Sequence, residues 1–243
     1  MLLFSFFLVS CGNTSKNVVI QDRKEDGDFK LIKINNKWYI GGLVNEGKEE
    51  IVIPSTLDIY GIWEKAFCDW KEERTNWVTN EATVVDYYNR TLKKVTIEKK
   101  LKRIDKEAFY GCRKLEKIDL PDSITELCDK SFYKCESLEK IIIPQNVTTI
   151  GREVFSWCRC NIVILGNVKK ISIYAFGNTQ IFFKGSISDW DNIKFLKHGV
   201  LDSVADTYVN NINKLVAFYS EEKPIDYLNN YWHYVSDEPV LWN

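Results

Sequence analysis

Apolar residues recur along the middle of this chain with a period far longer than a helix turn or a strand pleat. The segment Tyr110–Pro121 (YGCRKLEKIDLP) returns 23 residues later as Tyr133–Pro144 (YKCESLEKIIIP). A run spaced Leu-x-x-Ile-x-Leu appears as Leu92/Val95/Ile97, Leu115/Ile118/Leu120 and Leu138/Ile141/Ile143, and in shortened form as Ile162/Ile164. Next comes an aliphatic pair three apart: Ile59/Ile62, Leu101/Ile104, Ile124/Leu127, Val147/Ile150 and Val168/Ile171. A phenylalanine follows five residues later, at Phe67, Phe109, Phe132, Phe155 and Phe176. Self-similarity at a fixed short period marks a solenoid, in which each unit is buried by its neighbours.

The alternation Ile118-x-Leu120 predicts a short strand with both side chains on one face. Equivalent strands one repeat apart stack in parallel at about 4.8 Å. Pro121 and Pro144 end the ladder where no backbone donor is needed, and the phenylalanines form an internal stack. The period and the strand signature match leucine-rich repeats. The predicted fold is therefore an α/β leucine-rich-repeat solenoid: a right-handed coil with a parallel β-sheet of short strands, return segments of loop or short helix, and a cap at each end.

The flanks divide the chain further. Residues 28–50 alternate around Asn35-Asn36-Lys37 and read as a hairpin capping the array. The repeats occupy 51–184, interrupted near 68–91, where Phe67 and Phe109 stand 42 apart instead of 23. Residues 185–243 leave the period; Trp190, Ile193, Phe195 and Leu196 suit a cap over the last coil. Residues 12–27 are polar and predict a flexible tether. The opening apolar run is too short to span a bilayer and is similar to a secretory signal. Leu8-Val9-Ser10-Cys11 resembles a bacterial lipobox, which makes residues 1–11 a lipoprotein signal and Cys11 the expected lipidation site.

Ile53-Pro54, Leu120-Pro121 and Ile143-Pro144, the turn Ile150-Gly151, and Ala66-Phe67, Ala108-Phe109 and Ala175-Phe176 together resemble the BspA-like surface leucine-rich repeats of bacteria. The resemblance covers about Ile51 to Phe183. It extends to the closing segment Lys184–Ile193 and to the tail around Tyr231-Trp232-His233-Tyr234. It implies an adhesive, non-catalytic role at the cell envelope, toward host matrix proteins or other bacteria.

Composition narrows the functional classes. A net charge of −1 argues against a nucleic-acid partner or a membrane contact driven by bulk charge; the only membrane contact expected is through the lipid anchor. The two histidines, His198 and His233, give little material for a catalytic triad, and His233 sits in a run that reads as a packed aromatic cluster. Neither a phosphate-cradling glycine loop nor a nucleophile elbow appears, so no catalytic residue and no cofactor is assigned. Cys112, Cys135 and Cys158 share one repeat position. Export would permit disulfides, but packing as small apolar side chains suits that position better. Cys158-Arg159-Cys160 lacks the spacing of a zinc site, and no metal is expected.

Two surfaces remain as candidates for a protein or glycan ligand. Lys94, Lys117 and Lys140 form a column facing outward from the strands, beside Thr96, Asp119 and Ile142, with Glu116 and Glu139 offsetting their mutual repulsion. The same column serves equally to keep a flat sheet soluble. The interruption carries Trp70, Trp77, Tyr87 and Tyr88, residue types favoured as anchors at interfaces. Two further roles fit the pattern: a carbohydrate-capturing lipoprotein of nutrient uptake, and an envelope spacer without a specific ligand.

Overall fold

The computed structural model describes residues 6–10, 13–18, 20–68, 70–75, 82–98, 100–177, 179–221, 230–236 and 238–241. Its centre is a solenoid with two parallel sheets and a wall of turns. The first sheet carries the Leu-x-x-Ile-x-Leu strands. Glu50–Ile53, Lys94–Ile97 and Lys117–Ile118 pair in parallel, and the same edge continues through Lys140–Ile143, Asn161–Ile164, Ile181–Phe183 and Val216–Tyr219. Between Lys117–Ile118 and Lys140–Ile143 the ladder is interrupted. There Ser137 and Glu139 donate their amides to the carbonyls of Arg113 and Glu116.

The aliphatic pairs build a second sheet that the repeat pattern alone does not announce. Gly61–Ile62, Arg103–Ile104, Glu126–Leu127, Thr149–Ile150, Lys170–Ser172 and Lys194–Leu196 run parallel, most of them only two residues long. Strands this short escape a periodicity reading because alternation needs about four residues to register. Within the repeats the return segments are turns and these strands; the described helices, Ile187–Asp191 and Asp202–Asn213, both lie beyond them. Pro54, Pro121 and Pro144 sit at the corner between the sheets. Each accepts at its carbonyl the amide three residues on, from Leu57, Ile124 and Val147.

The third wall is made by the phenylalanines. Phe67, Phe109, Phe132, Phe155 and Phe176 stack with ring centroids 4.8, 5.2, 5.6 and 6.1 Å apart. All five are buried, within one core cluster that runs from Phe29 to Phe218. Two residues before each phenylalanine the backbone turns left-handed, at Lys65, Glu107, Lys130, Glu153 and Tyr174. That turn aims alternate amides at the next coil, as in Glu107 to Asp129, Phe109 to Ser131 and Gly111 to Tyr133. Cys112, Cys135 and Cys158 occupy the same wall unbridged. They donate to the carbonyls of Phe67, Phe109 and Phe132, one coil back. Burial pushes the Cys135 thiol up.

The ends differ from the sequence expectation in two ways. Asp22–Asp26, which composition places in the tether, pairs antiparallel with Phe29–Ile34 and makes the cap three-stranded. Phe29–Ile34 and Lys37–Leu43 are joined by Asn35 and Asn36, both left-handed, the conformation a two-residue hairpin loop requires. At the other end the coil continues past the last sequence repeat. Lys194–Leu196 extends the second sheet and Val216–Tyr219 the first, with helix Asp202–Asn213 as the connection. Trp190 and Ile193 are buried against this extra coil.

Candidate binding surfaces

Lys94 and Lys117 stand in register on the first sheet, but the lysines there are not a free basic surface. Lys94 lies in register with Lys117 on one side and Glu50 on the other. Its ammonium is 3.7 Å from Glu50, that of Lys117 is 3.8 Å from Asp119, and that of Lys140 is 2.5 Å from Glu238. The counter-charges are therefore Glu50, Asp119 and Glu238, in place of the expected Glu116 and Glu139. Glu50 is the register equivalent of Lys94 one coil back, Asp119 stands in the neighbouring column, and Glu238 comes from 98 residues away.

Glu238 reaches Lys140 because the tail folds across the sheet. Asn230–Val235 adds in parallel to Val216–Tyr219, and Glu238–Leu241 returns antiparallel to it. Trp232 is thereby buried on the outer face against Val163, Phe182 and Ala217, making a small second core. Its indole donates to the Phe183 carbonyl at 3.2 Å. His233 lies opposite Val240 in this hairpin. The outer face of the first sheet is thus covered toward its C-terminal end, with Val52 and Ile142 exposed on the uncovered part.

The interruption forms an antiparallel hairpin of Trp70–Thr75 and Ala82–Tyr88. Its backbone register sets Trp70 opposite Tyr88 and Lys71 opposite Tyr87. It leaves the wall directly after Phe67 and rejoins it at Asn89, which bridges to Cys112. Asn89 is fully buried, and its side-chain oxygen accepts from the amides of Thr91 and Leu92, fixing the point of return. Trp77 and Cys11 lie outside the described residues.

The second sheet presents the surface that the sequence did not single out. Its columns are Gly61, Arg103, Glu126, Thr149, Lys170, Lys194 and, two residues on, Trp63, Asp105, Cys128, Gly151, Ser172, Leu196, the second of them largely buried. At the N-terminal end the charges are matched. Arg103 Nε lies 2.5 Å from Asp105 Oδ1, and Nη1 lies 3.6 Å from Glu126. Burial pushes the Asp105 carboxyl up, and the neighbouring guanidinium opposes that shift.

At the C-terminal end the columns change character. Gly151 and Ser172 are small, and the coil opens into a cavity of about 690 Å3 lined by both columns and by Asp129, Lys197 and His198. Gly151 is required there by space: a Cβ would stand 2.6 Å from the Asp129 amide. Lys170 and Lys194 are neighbours in register, both exposed, and neither has an ion-pair partner among the described residues. Lys197 is paired with Asp202 and Asp206. His198 Nε2 is 2.8 Å from the buried Ser172 hydroxyl. Among the described residues no carboxylate bonds the imidazole, so serine and histidine are not completed into a triad. No group of three or more candidate metal ligands occurs among the described residues. A usable signal was present in the sequence: Lys169-Lys170 and Lys194 precede buried apolar residues with no acidic residue beside them.

Two parallel sheets closed by stacked turns define a leucine-rich-repeat solenoid. Residues 85–200 match the family model for the BspA type leucine rich repeat region in six copies, and the array is of that type. The fold is shared with a leucine rich cell surface protein from Faecalibacterium prausnitzii A2-165 at a TM-score of 0.51 and 21% identity. That match covers 89% of this chain but 59% of the other, so this chain spans less than two thirds of its length. It is also shared with a leucine rich repeat protein of T. pallidum, at a TM-score of 0.53 and 21% identity over 80% of this chain and 98% of that one. No curated protein matches the sequence.

Proposed function

We propose that this chain is a lipid-anchored, non-catalytic binding protein of the bacterial cell envelope, with an adhesive role toward a protein or glycan ligand. The observation that carries this reading is how the repeat distributes its residues. Every recurring position is taken up by core, ladder or turn, so differences between coils appear only on the outward columns and in the Trp70–Tyr88 hairpin. Such a scaffold makes surface in proportion to its length, and insertions in solenoids often supply the binding face. The cell surface description of the F. prausnitzii neighbour supports the same compartment.

Two measurements test it. Intact mass of the mature protein should show a diacyl or triacyl adduct on Cys11; an unmodified N-terminus sinks the anchoring. The full chain on matrix-protein and glycan arrays should bind, and joint substitution of Trp77 and Tyr87 should weaken binding to protein ligands. Silence across the arrays would leave the spacer role instead.

A further inference from the structure

We infer that the cavity on the second sheet is a binding site for an acidic carbohydrate, a sugar bearing both a carboxylate and hydroxyls. The inference names a ligand class for the binding role proposed above and rests on that role. The cavity volume, about 690 Å3, lies within the range of small-ligand sites. Three chemistries converge on it. Lys170 and Lys194 stand side by side on adjacent strands without counter-charges among the described residues, a pair that repels itself until an anion bridges it. His198 and Ser172 form a hydrogen-bonded pair beside them, able to donate to or accept from a hydroxyl. Across the cavity Glu126 and Asp129 present carboxylates, each with one commitment already made. Glu126 faces Arg103, and Asp129 accepts from the Arg152 amide at 2.7 Å.

The polarity of the site decides between anionic ligands. A uniformly acidic peptide would meet Glu126 and Asp129 at one end and be repelled there. A sugar acid places its single carboxylate at the lysines and offers hydroxyl donors to the two carboxylates. The half-buried Phe195 and Leu196 supply apolar wall for the C–H face of a pyranose ring. The lining is fixed by the coil itself: Ile171 and Phe195 pair within the ladder, and the Arg152 amide, next to Gly151, donates to Asp129. The site therefore needs little reordering to bind.

The test is calorimetric titration of the full chain at low ionic strength with galacturonic acid, its methyl ester and hexaglutamate. Galacturonic acid should bind, and raising the salt should weaken it. The double variant Lys170→Gln/Lys194→Gln should lose about tenfold in affinity, the combined size of two exposed charge contacts. Lys24→Gln, exposed on the N-terminal cap, should leave the affinity unchanged. The methyl ester, which keeps hydroxyls and shape but no charge, should bind about tenfold more weakly, as the lysine variant does. Unfolding temperatures of the variants should match the parent, since both lysines are exposed. Equal binding of hexaglutamate, or full affinity in the double variant, overturns the inference. A chain that binds proteins or neutral glycans on arrays but not the sugar acid also overturns it, while leaving the binding role intact. Silence toward every probe removes both.

Discussion

Two lysine columns run along this solenoid, and they have opposite fates. Lys94, Lys117 and Lys140 recur at the repeat period on the first sheet, and each faces an acid: Glu50, Asp119 or Glu238. Lys170 and Lys194 lie on the second sheet, in a column that carries Arg103, Glu126 and Thr149 in earlier coils, and face none among the described residues. The regular column is the one a reader of the sequence notices. Yet a charge repeated on adjacent strands must be neutralised or tolerated in every coil, so regularity favours built-in counter-charges. A site for a foreign anion is better sought where the pattern lapses and the counter-charge is missing.

The scaffold beneath both faces gives the largest expected effect. Phe132 lies in the middle of the stack, fully buried between Phe109 and Phe155. Phe132→Ala should cost about 3–5 kcal/mol by transfer and cavity terms together. Because each coil is buried only by its neighbours, that loss should act on both faces and lower the whole unfolding transition. Trp232 is equally buried, but it covers only the outer face of the first sheet. Trp232→Ala should instead speed hydrogen exchange in Val216–Tyr219 and the tail hairpin while the Phe109–Phe155 wall stays protected. Uniform exchange in both variants would show that face and wall are one cooperative unit.

The second sheet can be probed through its buried pair. Arg103→Met leaves the Asp105 carboxylate in the interior without its partner, a change expected to cost about 3 kcal/mol near neutral pH. The sign with pH follows from burial, which already raises the Asp105 pKa above its ordinary value. A carboxyl whose native pKa is raised binds its proton more tightly when folded. The variant's deficit should therefore be smallest at low pH and grow as pH rises through that native pKa. Chemical unfolding at pH 4 and pH 7 reads the difference. An equal deficit at both would mean that Asp105 finds another partner.

Much of this architecture was legible in the sequence because the repeat writes it several times over. The phenylalanine stack, the strands at Ile118 and Ile141 and the corner prolines all come from positions that recur, so chance variation in one coil is corrected by the next. The second sheet was not legible. Its strands at Arg103–Ile104 and Glu126–Leu127 are too short for alternation to show, and the aliphatic pair reads as core without revealing which neighbours face out. Nor could the cover be read. Trp232 and Glu238 reach the first sheet through tertiary folding across 98 residues, which no local pattern encodes. The cavity was hidden for both reasons, since it needs the second sheet's register and the smallness of Gly151 and Ser172 seen side by side.

The smallest effect on stability gives the sharpest test of the contrast between the columns. Glu50, Asp119 and Glu238 are exposed, so Glu50→Gln, Asp119→Asn and Glu238→Gln should each change stability by less than about 1 kcal/mol. Together they leave Lys94, Lys117 and Lys140 without the counter-charges that now occupy them. If missing counter-charge is what makes an anion site, the triple variant should gain salt-sensitive affinity for hexaglutamate on the first sheet, where no cavity or opposing carboxylate selects against a polyanion. Its affinity for galacturonic acid at the second sheet should not change, because Lys170 and Lys194 are untouched. No gain for hexaglutamate in the triple variant would show that unpaired lysines are insufficient, and that the cavity around Gly151 and Ser172 determines binding on its own.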